Sequence, residues 1–321
     1  MTSPPVTFVV LGYRQEQYIR EAIEGAFSQA YSPLEIILSD DCSPDGTFLI
    51  MEEMAGSYTG PHQVIARQTA VNVGLSAHLD EVADLAQGEW IVIAAGDDIS
   101  LPGRVARHME LAATHPDASS TFLAPVVIGN SRSNESVPKV MNKVLSYPET
   151  LKSHGGGILG ATHAIRKSTW SIFGPLGKGR ICEDWALAFR SSLIGEVIWD
   201  ETPGISYRLH EQSITSQNFG SERYGKQLMV ECDALRQFSK DLKCAVDGGH
   251  VSATQGAPDL LWLDKALLSN EMIASCINAD SIGALLRTSY RLLTCREFVV
   301  GNYRRRIGVI RSALRHHFTR A

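Results

Sequence analysis

Through its first hundred residues the chain repeats one pattern: a short apolar run, a polar turn, then apolar residues at helical spacing. Residues 6–11, 34–39 and 90–95 are apolar runs of strand length, with 62–68 a more polar fourth. Near-continuous apolar runs of this length fit strands covered on both faces. Between them, Ile19, Ala22, Ile23, Ala26 and Phe27 recur at spacings of three and four, as do Leu75, Leu79, Val82, Ala83 and Ala86. These stripes predict amphipathic helices. Ser43 followed by Pro44 reads as the N-cap and first turn of another helix, carrying Phe48, Leu49, Ile50 and Met54. Strands alternating with helices predict a doubly wound α/β sheet.

The pattern loosens further on. A helix is expected around residues 105–113, a strand at 119–128, and a loop through the polar stretch 131–154. A helix headed by Glu183-Asp184 carries Leu187, Phe189, Leu193 and Ile194, and a short strand follows at 197–199. Residues 207–210 read as extended. From about Phe219 only helical patterns remain, at 224–242, 260–277 and 282–293, with the glycine-bearing stretch 244–257 as a linker between the first two. The expected division is therefore an α/β domain over 1–217 and a helical region over 218–321.

Composition narrows what such a chain can do. Its 321 residues suffice for one large domain or two ordinary ones, and 44% hydrophobic with 20% charged content is ordinary for a globular protein. A net charge of −5 offers no basic field for nucleic acid. The six cysteines form no Cys-x-x-Cys pair, which fits reduced thiols in the cytoplasm better than a disulfide framework or zinc site. Residues 1–5 lack a basic leader segment, and no apolar stretch reaches membrane-spanning length, so a cytoplasmic protein without a membrane span is expected.

The chemistry concentrates where strands end. The run 90–95 stops at Gly96 and is followed by adjacent carboxylates, Asp97 and Asp98. In open α/β sheets ligands bind at the carboxyl ends of strands. Two carboxylates there repel, and a hard divalent ion bound to a diphosphate relieves the repulsion; a simple helix cap is the competing reading. The second strand also ends in paired acids, Asp40-Asp41. Glu183-Asp184 could equally be acidic residues favoured by a helix dipole. Gly155 to Gly160 fits the spacing Gly-x-Gly-x-x-Gly, but it follows no recognisable strand and opens no βαβ unit, so a glycine-rich loop is the better reading.

Taken in order, Tyr13 and Glu16, Asp40-Asp41 with Ser43 and Asp45, Asn72 and Gly74, Gly96-Asp97-Asp98, Glu183-Asp184 and Tyr207-Arg208-Leu209-His210 resemble family 2 glycosyltransferases, inverting enzymes of the GT-A fold. The resemblance covers residues 5–216. It implies a mostly parallel sheet flanked by helices, followed here by a helical C-terminal region. It also implies that Leu11, Tyr13 and Glu16 border the nucleotide base, and that Asp41 contacts base or ribose. By the same resemblance Asp97 and Asp98 would jointly serve metal and ribose, His210 would lie near metal or diphosphate, and Asp184 would be the catalytic base. Glu183 and Arg208 would fall beside the acceptor or diphosphate. The implied cofactor is Mn2+ or Mg2+, and the implied partners are a nucleotide sugar, a UDP-sugar first, and a glycan or lipid-linked acceptor. Two departures stand out: Cys42 replaces the usual glycine, and the usual first acid of the metal motif falls on Ala95 or Gly96.

Other readings stay open. A sugar nucleotidyltransferase shares the sheet but carries a glycine- and basic-rich phosphate loop after the first strand, where Leu11-Gly12-Tyr13-Arg14-Gln15 of this chain has one glycine and no lysine. A non-catalytic scaffold of a polysaccharide-assembly complex would not need Asp97, Asp98 and Asp184. The stretch 298–321 holds six arginines and no Asp or Glu, with Tyr303, Ile307, Ile310 and Leu314 on one helical stripe. It reads either as a helix packed on the C-terminal region, where self-association would also be placed, or as a basic amphipathic helix at the inner face of the cytoplasmic membrane.

Overall fold

In a computed structural model of the chain, the first strand, β1 (Val6–Gly12), is an interior strand of the sheet, and every residue of it is buried. The structure describes residues 4–129, 144–152, 158–178, 182–210 and 223–277. The sequence features placed at 131–143, 153–157, 211–222, 282–293 and 298–321 lie outside these residues. By its contacts the chain divides into two compact units, Met1–Ser213 and Ile214–Ala321.

The first unit alternates as the apolar pattern predicts. After β1 come α1 (Ile19–Phe27), β2 (Glu35–Asp40), α2 (Thr47–Ser57), β3 (Gln63–Gln68), α3 (Leu75–Leu85) and β4 (Trp90–Ala95). Then follow β5 (Ile99–Ser100), α4 (Arg104–Thr114), β6 (Ala118–Ile128), β7 (Val144–Leu145) and α5 (Tyr147–Lys152). A 3-10 turn (Gly160–Thr162), β8 (His163–Arg166), α6 (Ser168–Phe173), α7 (Glu183–Ile194) and β9 (Glu196–Arg208) complete it. The sheet runs β3-β2-β1-β4-β8-β6-β9-β5, with β7 paired to β9. The first four strands in this order are parallel. The other half is mixed: β8 is antiparallel to β4 and β6, while β6 and β9 run parallel.

Successive side chains of a strand point to opposite faces, and the two sides of the core record this. Val6, Phe8 and Val10 of β1 and Trp90, Val92 and Ala94 of β4 pack with Ile19 and Ile23 of α1, Met51 of α2 and Val105 of α4. Val9, Leu11, Ile91 and Ile93 pack on the other face with Leu79 and Val82 of α3, Trp170 of α6 and Leu187 of α7. Each fully buried aliphatic side chain contributes about 1.5–3 kcal/mol, so the three-layer arrangement follows from where those side chains fall. The outer strand β3 carries Gln63, Arg67 and Gln68 instead, polar side chains that discourage pairing with another chain.

Register aligns the ends of the central strands. Leu11 pairs with Ala95, and Gly12 with Asp40. The residues after β1, β2 and β4 therefore leave the sheet at one edge.

Four local expectations are corrected. Within the stretch 131–154, expected as a loop, the described residues carry β7 and α5. α2 starts at Thr47, not at Ser43-Pro44, because the Ser43 amide and hydroxyl are taken by Asp40; Asp45 receives the Thr47 amide instead, at 3.2 Å. The short strand at 197–199 and the extended 207–210 belong largely to one strand, β9, of 13 residues. The linker at 244–257 is mostly helix: in the second unit α8 (Arg223–Asp247) and α9 (Ala253–Ile277) leave only 248–252 between them. No helix among the described residues is long and apolar enough to cross a membrane.

Candidate active site

The loops after β1 and β2 are built around two residues in the left-handed backbone region, Arg14 (φ 55°) and Cys42 (φ 56°). The Arg14 amide donates to Ser43 Oγ at 2.9 Å, so the two loops are tied together. Left-handed backbone is costly for residues other than glycine, which accounts for the glycine usual at the position of Cys42. Tyr13 is exposed, with the Arg14 guanidinium 5.3 Å from its ring centroid. Glu16 accepts the Gly46 amide at 3.0 Å. Arg14, Glu16, Gln17, Tyr18, Pro44 and Asp45 line a cavity of about 290 Å³. Leu11 is not among the lining residues; it is buried near the end of β1, its carbonyl accepting the Gly96 amide at 2.8 Å.

Asp41 is buried and faces the loop after β3. Its carboxylate accepts from Thr69 Oγ1 at 3.0 Å and from the amides of Val73 and Gly74, both at 2.9 Å. Asn72 closes the same loop by donating to the Asp41 carbonyl at 3.2 Å. In this geometry Asp41 shapes the loop that meets the end of β2.

After β4 the chain turns through Gly96, Asp97 and Asp98. A side chain at position 96 would lie 3.0 Å from the Leu11 carbonyl and closer still to Gln15 and Ile19, so the turn needs glycine to approach β1. Arg208, at the end of β9, clamps the acids. Its amide donates to Asp98 Oδ1 at 2.8 Å, its Nε to the Asp97 carbonyl at 3.0 Å, and its Nη2 to Glu21 at 2.7 Å. Two residues on, His210 Nε2 lies 3.0 Å from Asp97 Oδ2. Tyr18 underlies both: its ring centroid is 4.7 Å from that of His210, and Arg208 Cζ sits 4.9 Å from it. The structure thus gathers Asp97, Asp98, Arg208 and His210, which sequence reasoning named, and sets Tyr18, which it missed, against Arg208 and His210. Nothing in the position of Tyr18, just before α1, distinguishes it from packing.

Asp98 carries the information about a cation. It is 3% exposed, and its Oδ2 has no hydrogen-bond partner among the described residues. Burial, and then the charge of Asp97, push its carboxyl up to about 8. A nearby divalent charge would offset both causes and occupy the free oxygen. The described residues hold no group of three His, Cys, Asp or Glu side chains arranged for a metal. Two carboxylates completed by substrate oxygens suit Mg2+-like ions, which are commonly bound that way. The residues present therefore fit a divalent ion.

Glu183 and Asp184 open α7 as a second acidic group. Burial and then Asp184 raise the Glu183 carboxyl to about 8. Burial also raises Asp184, while hydrogen bonds from the Cys182 thiol and the amides of Trp185 and Gly160 oppose it. A side chain at Gly160 would sit 3.1 Å from Glu183 Oε1 and 3.3 Å from Asp184 Cβ. The last glycine of the glycine-rich stretch thus lies against the acidic pair. A carboxylate raised toward neutrality is a better proton acceptor at working pH than an ordinary one.

Residues 7–168 match the sequence profile described as "Glycosyl transferase family 2". An uncharacterised protein of Mycobacterium tuberculosis is 28% identical over 223 residues, covering 68% of this chain and 62% of that protein. The match therefore spans less than two thirds of that relative's length. Among solved structures, S. aureus TarS 1–349 in complex with UDP-GlcNAc superposes with a TM-score of 0.62 at 14% identity, covering 90% of this chain and 80% of that one. The mannosyltransferase PcManGT from Pyrobaculum calidifontis, in complex with GDP-Man and Mn2+, superposes with a TM-score of 0.54 at 15% identity, covering 98% and 87%. At these identities the two structures establish a shared fold, a mixed α/β sheet flanked by helices with further helices at the C-terminal end.

Proposed function

Because the chain belongs to glycosyl transferase family 2, we propose that it is an inverting glycosyltransferase that moves a sugar from a nucleoside-diphosphate sugar to a hydroxyl of a glycan or lipid-linked glycan. The observation that carries this reading is the pair Asp97-Asp98 at the end of β4, in which Asp98 is buried and keeps one oxygen without a partner among the described residues. TarS with UDP-GlcNAc and PcManGT with GDP-Man support a nucleotide-sugar donor and leave the base open; a UDP-sugar is our first choice.

In this reading Leu11, Tyr13, Glu16 and Asp41 border or shape the base and ribose site. Asp97 and Asp98, with His210 beside them, would hold Mn2+ or Mg2+, which supplies positive charge against the leaving diphosphate. Arg208 adds positive charge there while bracing the turn. Asp184 takes the proton from the acceptor hydroxyl as that oxygen bonds to the anomeric carbon. The bond from that carbon to the diphosphate oxygen breaks, and its electron pair leaves with the nucleoside diphosphate. A single displacement inverts the centre and requires no enzyme nucleophile. Glu183, next to Asp184, would lie in the vicinity of the acceptor or diphosphate. We assign residues 218–321 to acceptor contact, self-association or contact with the cytoplasmic face of a membrane.

The test is a thermal-shift panel of UDP- and GDP-sugars with Mn2+ or with chelator, since a ligand that binds only the folded state raises apparent stability. A metal-dependent shift is expected for one donor class, and it should vanish in Asp97→Ala/Asp98→Ala. Shifts of equal size with Mn2+ and with chelator in the wild type would refute the metal assignment, and no shift with any nucleotide sugar would refute the transferase reading.

A further inference from the structure

Arg104, the first residue of α4, is 1% exposed, so its guanidinium lies inside the protein. Burying a guanidinium is costly unless its donors are met; Nε has no partner among the described residues, and the acceptors that meet the two terminal nitrogens lie on three different segments. Nη2 donates to the Ile93 carbonyl of β4 at 2.6 Å and to the Ala161 carbonyl of the 3-10 turn at 2.7 Å. Nη1 donates to Ser100 Oγ of β5 at 2.9 Å. The guanidinium carbon is 5.7 Å from the centre of the Phe8 ring on β1.

Each segment leads to a site residue. Ile93 and Ser100 flank the Asp97-Asp98 turn on either side in sequence. Ala161 follows Gly160, whose amide donates to Asp184. One side chain is thus bonded both to the strands that frame the acidic turn and to the turn that supports Asp184.

We propose that Arg104 is a positioning residue that fixes the Gly160 turn, and through it Asp184, relative to the Asp97-Asp98 turn. This rests on the function proposed above. The donor side has a separate anchor, because Arg208 holds Asp97 and Asp98 by its own bonds. Loss of Arg104 therefore loosens the side that carries the base and leaves nucleotide binding intact. A lysine keeps the charge and can serve the two carbonyls from one nitrogen, but it does not reproduce the forked reach to Ser100 as well.

The experiment compares wild type, Arg104→Lys and Arg104→Met in the full chain. Hydrogen exchange needs no ligand. In Arg104→Lys the peptides over 158–166 and 182–190 should exchange about 10-fold faster, with the rest of the first unit unchanged. UDP binding in the presence of Mn2+ should stay within about three-fold of wild type, while turnover of the donor selected by the thermal-shift panel falls about 10-fold, and further in Arg104→Met. In an Asp184→Asn background, itself slower by roughly 10²-fold, Arg104→Lys should change turnover by less than about two-fold, because residues acting as one unit are not additive. Unchanged exchange in those peptides, a uniform rise throughout the unit, a loss of UDP affinity as large as the loss of turnover, or multiplicative effects in the double variant would each overturn the proposal. If Arg104→Met does not fold, Arg104→Lys carries the test alone. Failure of wild type to bind UDP or GDP with Mn2+ would instead refute the functional reading, and the exchange result would still decide whether Arg104 ties the two turns together.

Discussion

Glu183 is a carboxyl that the fold prefers to keep neutral: burial first, then the charge of Asp184, carry it from an ordinary 4.5 to about 8. A raised pKa means that its favourable contribution is complete below about pH 4.5 and is lost as pH rises through about 8. Glu183→Gln cannot ionise and has no such loss. The melting temperature of the wild type should therefore fall relative to Glu183→Gln between about pH 4.5 and 8, with a constant offset on either side. Parallel melting curves for the two proteins across that window would show that Glu183 titrates as a free side chain does. The acids themselves were legible in the sequence, because adjacent carboxylates after a strand or at a helix head are visible as residue types. Their burial was not, since it comes from residues distant in the chain, such as Gly160 beside Asp184. Tyr18 and Arg104 were illegible for the same reason. Tyr18 acquires its place from Arg208 and His210, and Arg104 from Ile93 and Ala161. The replacement of the usual glycine by Cys42 was visible, and the structure supplies its physical meaning as a positive φ.

Elements were legible where their signal was local. β4 runs over the apolar residues 90–95 as predicted, and β1 extends its predicted run by one residue to Gly12. β9 was not, because Asp200-Glu201-Thr202-Pro203-Gly204 reads as a turn yet lies within a 13-residue strand. Irregular pairing absorbs it: the register against β6 shifts between Leu123 and Ala124 and again between Ala124 and Pro125. β5, β7 and β8, of two, two and four residues, are too short for alternation to reveal. What steadies β9 there is an ion pair with α4. Arg107 reaches Asp200 through Nε at 3.1 Å and Nη2 at 2.7 Å, a forked contact. The hydrogen bond from Arg107 is the first cause that holds Asp200 down at about 2, against an ordinary 3.8. A lowered carboxyl stabilises the fold above about pH 3.8, and that contribution disappears as pH falls through about 2. Because the pair is partly exposed, Asp200→Asn should cost about 1 kcal/mol at pH 7, and the difference from wild type should close by about pH 2. Denaturant titrations at the two pH values measure it, and an equal difference at both would exclude the ion pair as its source.

At the scale of the whole molecule, charge is unevenly distributed along the chain. The net charge is −5, yet residues 298–321 contain Arg304, Arg305, Arg306, Arg311, Arg315 and Arg320 and no acid. The remainder is therefore more acidic than the total suggests. An anionic lipid surface would attract the basic stretch at about 1 kcal/mol per arginine near the surface and repel the rest. Attraction of that kind acts within a Debye length and weakens with salt. A transferase working on lipid-linked acceptors would gain from being held this way, with its acidic part kept off the bilayer. If the arginines are only a solvated face, lipid should make no difference. Vesicles of phosphatidylcholine with phosphatidylglycerol, sedimented with the full chain, separate the two. Binding should fall as salt rises from about 0.05 to 0.5 M, be absent on phosphatidylcholine alone, and be lost when Arg304, Arg305 and Arg306 are changed to Glu in a protein that melts as wild type does. Equal sedimentation of wild type and the triple variant would remove the membrane from the proposal and turn the search for an acceptor toward soluble glycans.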